Sequence, residues 1–466
     1  MDFEPQELRT RCEGAGQGHL FQFWGELDQA RRARLLRQIA DLDLELVGEL
    51  GGRLNRADES SGTPPELSPP QVFPLQRDAA QATNAAEAIE RGKALLEEGR
   101  VGYVLVAGGQ GSRLGFEGPK GVFPVGPVGD TTLFEWHARR LLAARARHRG
   151  PVAWYVMTSA ANDEDTRRYF EDKSYFGLEP EDVRFFVQAM LPALDPQGRI
   201  LMSAKDQLFL APNGHGGTLS ALADSGCLAD AGSRGIDFLS YFQVDNPLVR
   251  PADPLFLGLH EGAGASMSTK VVAKRDAGEK VGVLGLVDGR LGCIEYSDIS
   301  PDLREATDEQ GQLLFRAGNI AVHILDRAFV EQLTGQGLRL PWHVARKQIP
   351  AIDAQGQLTP QEGFKFETFI FDALGFSETS VTLEVDRALE FSPVKNATGE
   401  DSAASARRAL SGLFAGWVEA VQGDLPPMRD GMVPVEVDPR VAESEADFKR
   451  GAPAAPERLA GGFLYR

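Results

Sequence analysis

The sequence predicts an α/β chain around a mixed, mainly parallel sheet, with an N-terminal helical extension and a small C-terminal segment. Three observations lead there. Short apolar runs alternate with amphipathic stretches between about residues 101 and 244, the pattern of strands joined by crossover helices. Prolines at 64, 65, 69, 70 and 74 withhold backbone donors and mark an extended connector ahead of that pattern. Residues 424–466 turn Pro- and Gly-rich, with one Val433/Val435/Val437 alternation. The division that follows is 1–76 for the helical extension and linker, 77–423 for the α/β body and 424–466 for the last segment.

The elements read in order. Leu35, Ile39, Leu42, Leu46 and Leu50 recur on one face of a 3.6-residue repeat, so the start of the chain is helical. Residues 60–76 form the connector, and 83–98 a helix stopped by Gly99. Residues 101–107 are a buried strand, rich in Val and Leu. Residues 132–148 are an amphipathic helix, with Thr132 and Glu135 spaced as a capping box. Strands follow at 152–157, 183–187 and 236–244, with a helix at 162–170. Asp288-Gly289 between two strand-like runs predicts a two-residue hairpin, and helix returns at 401–421.

Composition excludes several classes. Apolar residues are 42% and charged ones 25%, ordinary values for a folded globular chain. The length of 466 residues predicts roughly two or three domains. A net charge of −18 repels phosphodiester backbone, so no nucleic-acid partner is expected. Three scattered cysteines, Cys12, Cys227 and Cys293, argue against disulfides or a thiolate zinc site and fit a reducing cytoplasm. The acidic start MDFEPQELRT is no signal peptide. No run of 18 apolar residues spans a membrane.

The segment that carries chemistry is Leu105-Val-Ala-Gly-Gly-Gln-Gly-Ser-Arg-Leu-Gly115, followed by Pro119-Lys120-Gly. A strand runs into a loop dense in glycine, where successive N–H groups can converge on phosphate oxygens. Arg113 and Lys120 place fixed positive charge beside it. The common glycine motifs fail here. The dinucleotide fingerprint needs glycine where Leu114 stands, and Walker A needs its lysine followed by Ser or Thr. Asp245 ends the 236–244 strand, where α/β sheets bind ligands; a hard oxygen donor there suits Mg²⁺. Gln188 follows the 183–187 strand and offers both donor and acceptor. No histidine pattern suggests a metal site, and residues 162–165 read as the acidic first turn of a helix.

This motif resembles the signature of the eukaryotic-type UDP-sugar pyrophosphorylases, most closely the UDP-N-acetylglucosamine branch. Further blocks in order extend the likeness over about residues 101–423: Gln188-Ala-Met-Leu-Pro192-Ala, Gly214-His-Gly-Gly217, Val244-Asp-Asn246, Val281-Gly-Val, Cys293-Ile-Glu-Tyr-Ser297, Ala317-Gly-Asn-Ile320, Gly363-Phe-Lys365-Phe-Glu367 and Glu390-Phe-Ser-Pro-Val-Lys395-Asn. The resemblance implies a Rossmann-like nucleotidyltransferase (GT-A-like) sheet. It also implies the reaction of UTP with a sugar 1-phosphate to give UDP-sugar and pyrophosphate, with Mg²⁺.

Carried over residue by residue, it implies that Ala107, Gly108, Gly109, Gly111, Gln188 and Gly214 bind the nucleotide, with Gln188 reading uracil. Arg113, Lys120 and Lys395 are the implied catalytic cations, and Asp245 the metal ligand. His215, Glu295, Asn319, Lys365 and Lys395 take the sugar and its phosphate. At His215 the acetylglucosamine branch typically carries asparagine, whereas UDP-glucose pyrophosphorylases more often carry Gly-His-Gly. The expectation is a cytoplasmic uridylyltransferase making UDP-N-acetylglucosamine. The alternatives are a glucose 1-phosphate or broad-specificity enzyme, a non-catalytic nucleotide-sugar sensor and a glycosyltransferase.

Overall fold

The computed structural model describes residues 4–54, 65–296, 298–421, 423–453 and 455–466. Their backbone gathers into two compact units made of discontinuous segments. The first takes residues 4–54, 189–217 and 340–370; the second takes 65–188, 218–339 and 371–466. The sequence segments 1–76, 77–423 and 424–466 are contiguous, and the units cut across them.

In the first unit the leucine-rich face is carried by two helices, Gln29–Ala40 and Leu44–Leu54. Periodicity alone predicts one. Asp43 accepts the Leu46 N–H at 3.0 Å, and a carboxylate that satisfies an orphan donor starts a new helix more readily than it continues an old one. Leu35, Ile39, Leu42 and Leu50 are buried as expected, against Leu194, Ile200 and Phe366. Antiparallel strands His343–Ile352 and Leu358–Glu367 pair without a break from His343↔Glu367 to Ile352↔Leu358.

The second unit is built on a large mixed sheet. Its parallel half runs Val183–Val187, Trp154–Thr158, Val101–Val106, Phe238–Gln243, close to the four predicted strands. Beside Phe238–Gln243 the pairing turns antiparallel with Ala317–Asp326. That strand pairs in turn with Met267–Ala273 and Val283–Val287. The predicted hairpin is present, Val283–Val287 with Arg290–Ile294, its turn residues Asp288 and Gly289 at φ 49° and 80°.

Of the Pro-rich connector, residues 60–64 lie outside the described residues. The remainder is laced onto the sheet: Leu67–Ser68 pairs with Val287 and Leu286, and the Phe73 N–H donates to Thr382 O at 2.8 Å. Helix Ala79–Glu97 starts earlier than periodicity suggests because Asp78 and Gln81 form a full capping box. Helix Leu133–His148 has half of its predicted box. Thr132 Oγ1 accepts the Glu135 N–H at 3.3 Å, while the Glu135 carboxylate turns to Arg139. Residues 424–466 fall in the second unit. Strand Gly462–Tyr465 lies between Val435–Val437 and Glu457–Leu459, and Phe448, Phe463 and Tyr465 share a core with Trp136, Phe414 and Trp417. Among the described residues no helix is long and apolar enough to cross a membrane.

Candidate active site

The four parallel strands of the second unit end on one edge, where their C-terminal loops meet. The glycine loop is tied there by its backbone. The Ala107 N–H donates to Met157 O at 2.8 Å, the Lys120 N–H to Gly109 O at 3.0 Å and the Gly111 N–H to Gly118 O at 2.9 Å. Asn162, fully buried, completes the arrangement. Its Oδ1 accepts from Ser159 N at 2.8 Å and Ser159 Oγ at 3.1 Å. Its Nδ2 donates to Ala107 O at 2.9 Å and Gly109 O at 3.3 Å.

The Asn162 NH₂ thereby pins two loop carbonyls, and with the Ala107 and Gly111 N–H groups already spent on Met157 O and Gly118 O, the N–H groups of Gly108, Gly109 and Gln110 are the ones the loop can offer a ligand. The acid-rich helix start at 162–165 hides this role in the sequence. The one available signal is an Asn three residues after Ser159, the spacing of an Asx side chain folding back on its own chain.

Gln188 directly follows the strand Val183–Val187. It is buried, its N–H donates to Thr158 O at 2.9 Å, and its Oε1 lies 3.2 Å from where a Cβ on Gly108 would stand. Gly108 is therefore tight against the glutamine, whereas Gly109 is exposed.

Charge gathers beside this loop. Lys120 Nζ lies 3.5 Å from Asp245 Oδ2, with side chains 18% and 11% exposed. Two half-desolvated opposite charges attract more strongly than a surface pair. The Val394 N–H donates to Asp245 O at 2.8 Å, and Asn246 Nδ2 donates to Glu390 O at 2.7 Å, so residues 390–395 are fastened to the end of the Phe238–Gln243 strand. The result is a small cleft of about 50 Å³ lined by Asp245, Asn319, Phe391, Pro393 and Lys395 among others. Lys395 is exposed, with its ammonium 5.8 Å from the Phe391 ring centroid. Arg113 is exposed in the turn Ser112–Leu114.

Two residues that the sequence reading missed hold this corner from behind. Lys270, 0% exposed, is bonded to Asp253 at 2.7 Å and Glu390 at 2.6 Å. Burial opposes its charge, but the two carboxylates outweigh burial and hold its pKa above the ordinary value. His137, also 0% exposed, reaches Val244 O with Nε2 at 2.9 Å. A carbonyl only accepts, so Nε2 carries a proton.

Burial, outweighing the Val244 bond and aided by the Arg140 charge, pushes the His137 pKa down to about 4. An unfolded chain protonates this ring near pH 6.5, while the folded one resists until about 4. Stability is therefore lost as pH falls through that window and is unaffected above it, by about 2 kcal/mol between pH 7 and 5. Urea titrations at the two pH values check this. His137→Gln, which keeps an N–H donor but cannot titrate, should remove that part of the slope; identical slopes would exclude His137 as its source.

The Glu295 and Asn319 region differs from expectation in one respect. Within the Cys293–Ser297 block a strand reading would put Glu295 in the sheet, but strand Arg290–Ile294 ends one residue before it, and Glu295 is half-buried. Ser297 lies outside the described residues. Asn319 N–H donates to Gly282 O at 2.8 Å. The Asn319 side chain accepts the Ala321 N–H at 2.9 Å and points Nδ2 at Cys293 Sγ, 3.6 Å away. Ala321 sits at φ 54°, so the amide braces a bulged stretch of strand Ala317–Asp326.

Gly214, His215 and Lys365 belong to the first unit. Gly214 stands at φ +81°, and a Cβ there would lie 2.3 Å from Thr368 O. His215 Nδ1 accepts the Ile370 N–H at 3.1 Å, and its ring stacks on Phe369 at 5.3 Å. Burial, with His343 nearby, pushes its pKa down to about 4, so it is neutral near pH 7. Lys365 lies on strand Leu358–Glu367, its ammonium 5.2 Å from the Phe209 ring centroid. Among the described residues no group of three or more His, Cys, Asp or Glu could hold a metal.

Residues 55–406 match the UDPGP family, described as UTP–glucose-1-phosphate uridylyltransferase. UDP-N-acetylhexosamine pyrophosphorylase-like protein 1 of Xenopus tropicalis is 40% identical over 428 residues, 87% of this chain and 83% of that protein. UDP-N-acetylglucosamine diphosphorylase 1 of Arabidopsis thaliana is 35% identical over 438 residues, 90% and 85% respectively. The crystal structure of the Trypanosoma brucei uridine diphosphate N-acetylglucosamine pyrophosphorylase in complex with an inhibitor is similar with a TM-score of 0.82 and 28% identity. It covers 97% of this chain, which covers 95% of it. With three-quarters of its length matched and such relatives along most of it, the chain belongs to the UDPGP family.

Proposed function

We propose that the chain is a uridylyltransferase that transfers UMP from UTP to N-acetylglucosamine 1-phosphate, giving UDP-N-acetylglucosamine and pyrophosphate. The observation that carries this reading is the half-buried Lys120–Asp245 pair beside a glycine loop whose carbonyls Asn162 holds away. Relatives named for this activity support it.

A phosphate oxygen of the sugar 1-phosphate attacks the α-phosphorus of UTP in line. A P–O bond forms, the bond to the β-phosphate oxygen breaks, and pyrophosphate leaves opposite. Such a transfer needs positioning and charge more than a covalent nucleophile. Arg113 and Lys120 offset the charge that grows on the departing pyrophosphate. Lys365 and Lys395 neutralise the sugar phosphate, lysine being a mobile point charge. Ala107, Gly108, Gly109, Gly111 and Gly214 bind the nucleotide along their backbones, and Gln188 reads uracil.

Glu295 and Asn319 bond the acetylated sugar, and the resemblance assigns His215 to sugar binding as well. Asp245 would hold Mg²⁺. A single carboxylate without a third protein ligand fits an ion that completes its shell with phosphate oxygens and water. Bound there, the ion supplies charge neutralisation to the phosphates. Three free cysteines support a cytoplasmic setting.

His215 favours a second reading, with glucose 1-phosphate as the sugar. Pyrophosphate release from UTP and Mg²⁺ with each sugar phosphate separates the two. A higher kcat/KM for glucose 1-phosphate would replace the acetylated sugar, and silence with every sugar would leave only a sensor or a glycosyltransferase. Gln188→Ala should raise the KM for UTP about tenfold, the worth of one neutral hydrogen bond, and relax discrimination against CTP. An unchanged UTP/CTP ratio would remove the uracil contact.

A further inference from the structure

The proposed reaction assigns nothing to residues 424–466, yet one of their two fully buried acids reaches the loop that carries Lys120. Glu436, 0% exposed on strand Val435–Val437, accepts three hydrogen bonds from one turn. Its Oε2 takes the N–H of Val128 at 2.9 Å and of Gly129 at 2.7 Å. Its Oε1 takes the Thr131 hydroxyl at 2.7 Å. No lysine or arginine forms an ion pair with it among the described residues. A carboxylate taken wholly out of water is costly, and only charge-assisted hydrogen bonds such as these offset the loss. The turn is shaped to fit: a Cβ on Gly126 would lie 2.7 Å from Glu436 Oε2, and Asp130 stands at φ +51°, a region that strains side-chain-bearing residues.

The same turn closes the path from Lys120 to helix Leu133–His148. Lys120 opens the turn Lys120–Val122, and the Phe123 N–H returns to Lys120 O at 3.0 Å. Phe123 O then accepts the Leu133 N–H at 3.1 Å, and the Val125 and Gly126 N–H groups both reach Thr131 O. Arg407 holds Pro124 O at 2.8 Å. Everything between Lys120 and the helix is thus pinned except the tip at 127–130, and Glu436 pins that.

The C-terminal segment also grips the helix itself. Asp438 pairs with Arg139, and Glu443 with Arg140 and Arg147. We propose that Glu436 is a positioning residue: the C-terminal strand holds the 126–131 turn through this carboxylate, and so sets where Lys120 stands for phosphoryl transfer. The inference rests on the role proposed for Lys120.

The test compares Glu436→Ala, Glu436→Asp and Glu436→Gln in the full chain. Alanine removes the acceptor, and aspartate withdraws it by one methylene. Glutamine can still accept both backbone N–H groups with its oxygen while donating its NH₂ to Thr131 Oγ1. Expected is a kcat about 10–30-fold lower for alanine and aspartate, well below their melting temperatures, with the KM for UTP within about threefold, because loss of alignment falls on the transition state. Glutamine should bring kcat back to within about threefold of wild type. A purely structural carboxylate would lower the melting temperature and leave kcat alone; kcat within twofold of wild type in both the alanine and aspartate variants overturns the proposal.

Amide hydrogen exchange decides it independently of the reaction. Faster exchange at Lys120, Val122 and Phe123 in the aspartate variant supports transmission, whereas faster exchange confined to 126–131 overturns it. Should the wild-type chain release no pyrophosphate from any sugar phosphate, the proposed reaction fails, and the exchange result alone judges the clamp.

Discussion

Lys120→Ala is expected to lower kcat by about 10²–10³-fold, the typical loss when one preorganised group facing developing charge is removed. The KM for UTP should move by less than about threefold, since the interaction strengthens only as pyrophosphate departs. The Lys120 side chain is 18% exposed and its ammonium already faces Asp245 at 3.5 Å, so it stands in a partly water-excluded place where its charge is screened less than at the surface. Glycine-loop N–H groups, Gln188 and Arg113 remain to hold the nucleotide. Pyrophosphate release at saturating UTP and sugar phosphate reads kcat, and a single-turnover measurement confirms that chemistry limits the rate. A variant turning over within threefold of wild type would take Lys120 out of the transfer step.

The largest effect on stability is expected at Lys270. Lys270→Met strands Asp253 and Glu390 as buried carboxylates without their cation, a loss of about 3–5 kcal/mol. Urea titration followed by tryptophan fluorescence measures it. Combining Lys270→Met with Asp253→Asn and Glu390→Gln removes the stranded charges as well and should recover more than half of the loss, because a buried ionic cluster contributes little beyond a neutral replacement. A loss under about 1 kcal/mol for Lys270→Met would mean that water reaches the carboxylates in the variant. The site should feel the change too, since Glu390 O anchors Asn246, next to Asp245.

Local features of the fold were legible because they are set by local chemistry. Asp288-Gly289 specifies its hairpin through φ > 0 at both positions, and Val-rich runs ending in glycine specify buried strands. The glycine loop with Lys120, Gln188 and Asp245 could be read as strand-end residues because each follows a predicted parallel strand, whereas Lys395 came only from the resemblance; Lys120 and Asp245 lie 3.5 Å apart, and Asp245 and Lys395 line one cleft. What escaped depends on distant partners. Asn162 looks like an N-cap, and only the fold reveals the carbonyls of Ala107 and Gly109 beneath it.

Lys270 reads as a polar interruption in an apolar strand until Asp253 and Glu390 are seen on either side. Glu436 reads as the outward residue in a Val433/Val435/Val437 alternation, yet all three residues of Val435–Val437 are buried. The segments 189–217 and 340–370 carry no mark in composition that assigns them to the same unit as residues 4–54; periodicity reports which face is apolar and not what covers it.

That shared membership has a consequence for biosynthesis. Leu35, Ile39 and Leu50 share their core with N-terminal residues such as Leu8, Leu20 and Phe21 and also with the late-emerging Leu194, Ile200 and Phe366. At translation speeds of about 5–20 residues per second, the delay between the emergence of the N-terminal helices and that of Phe366 is on the order of 15–60 s. For that interval part of the apolar face of the helices is open to solvent or to a chaperone. Ribosome stalling before Phe366 would leave part of that face uncovered on the nascent polypeptide.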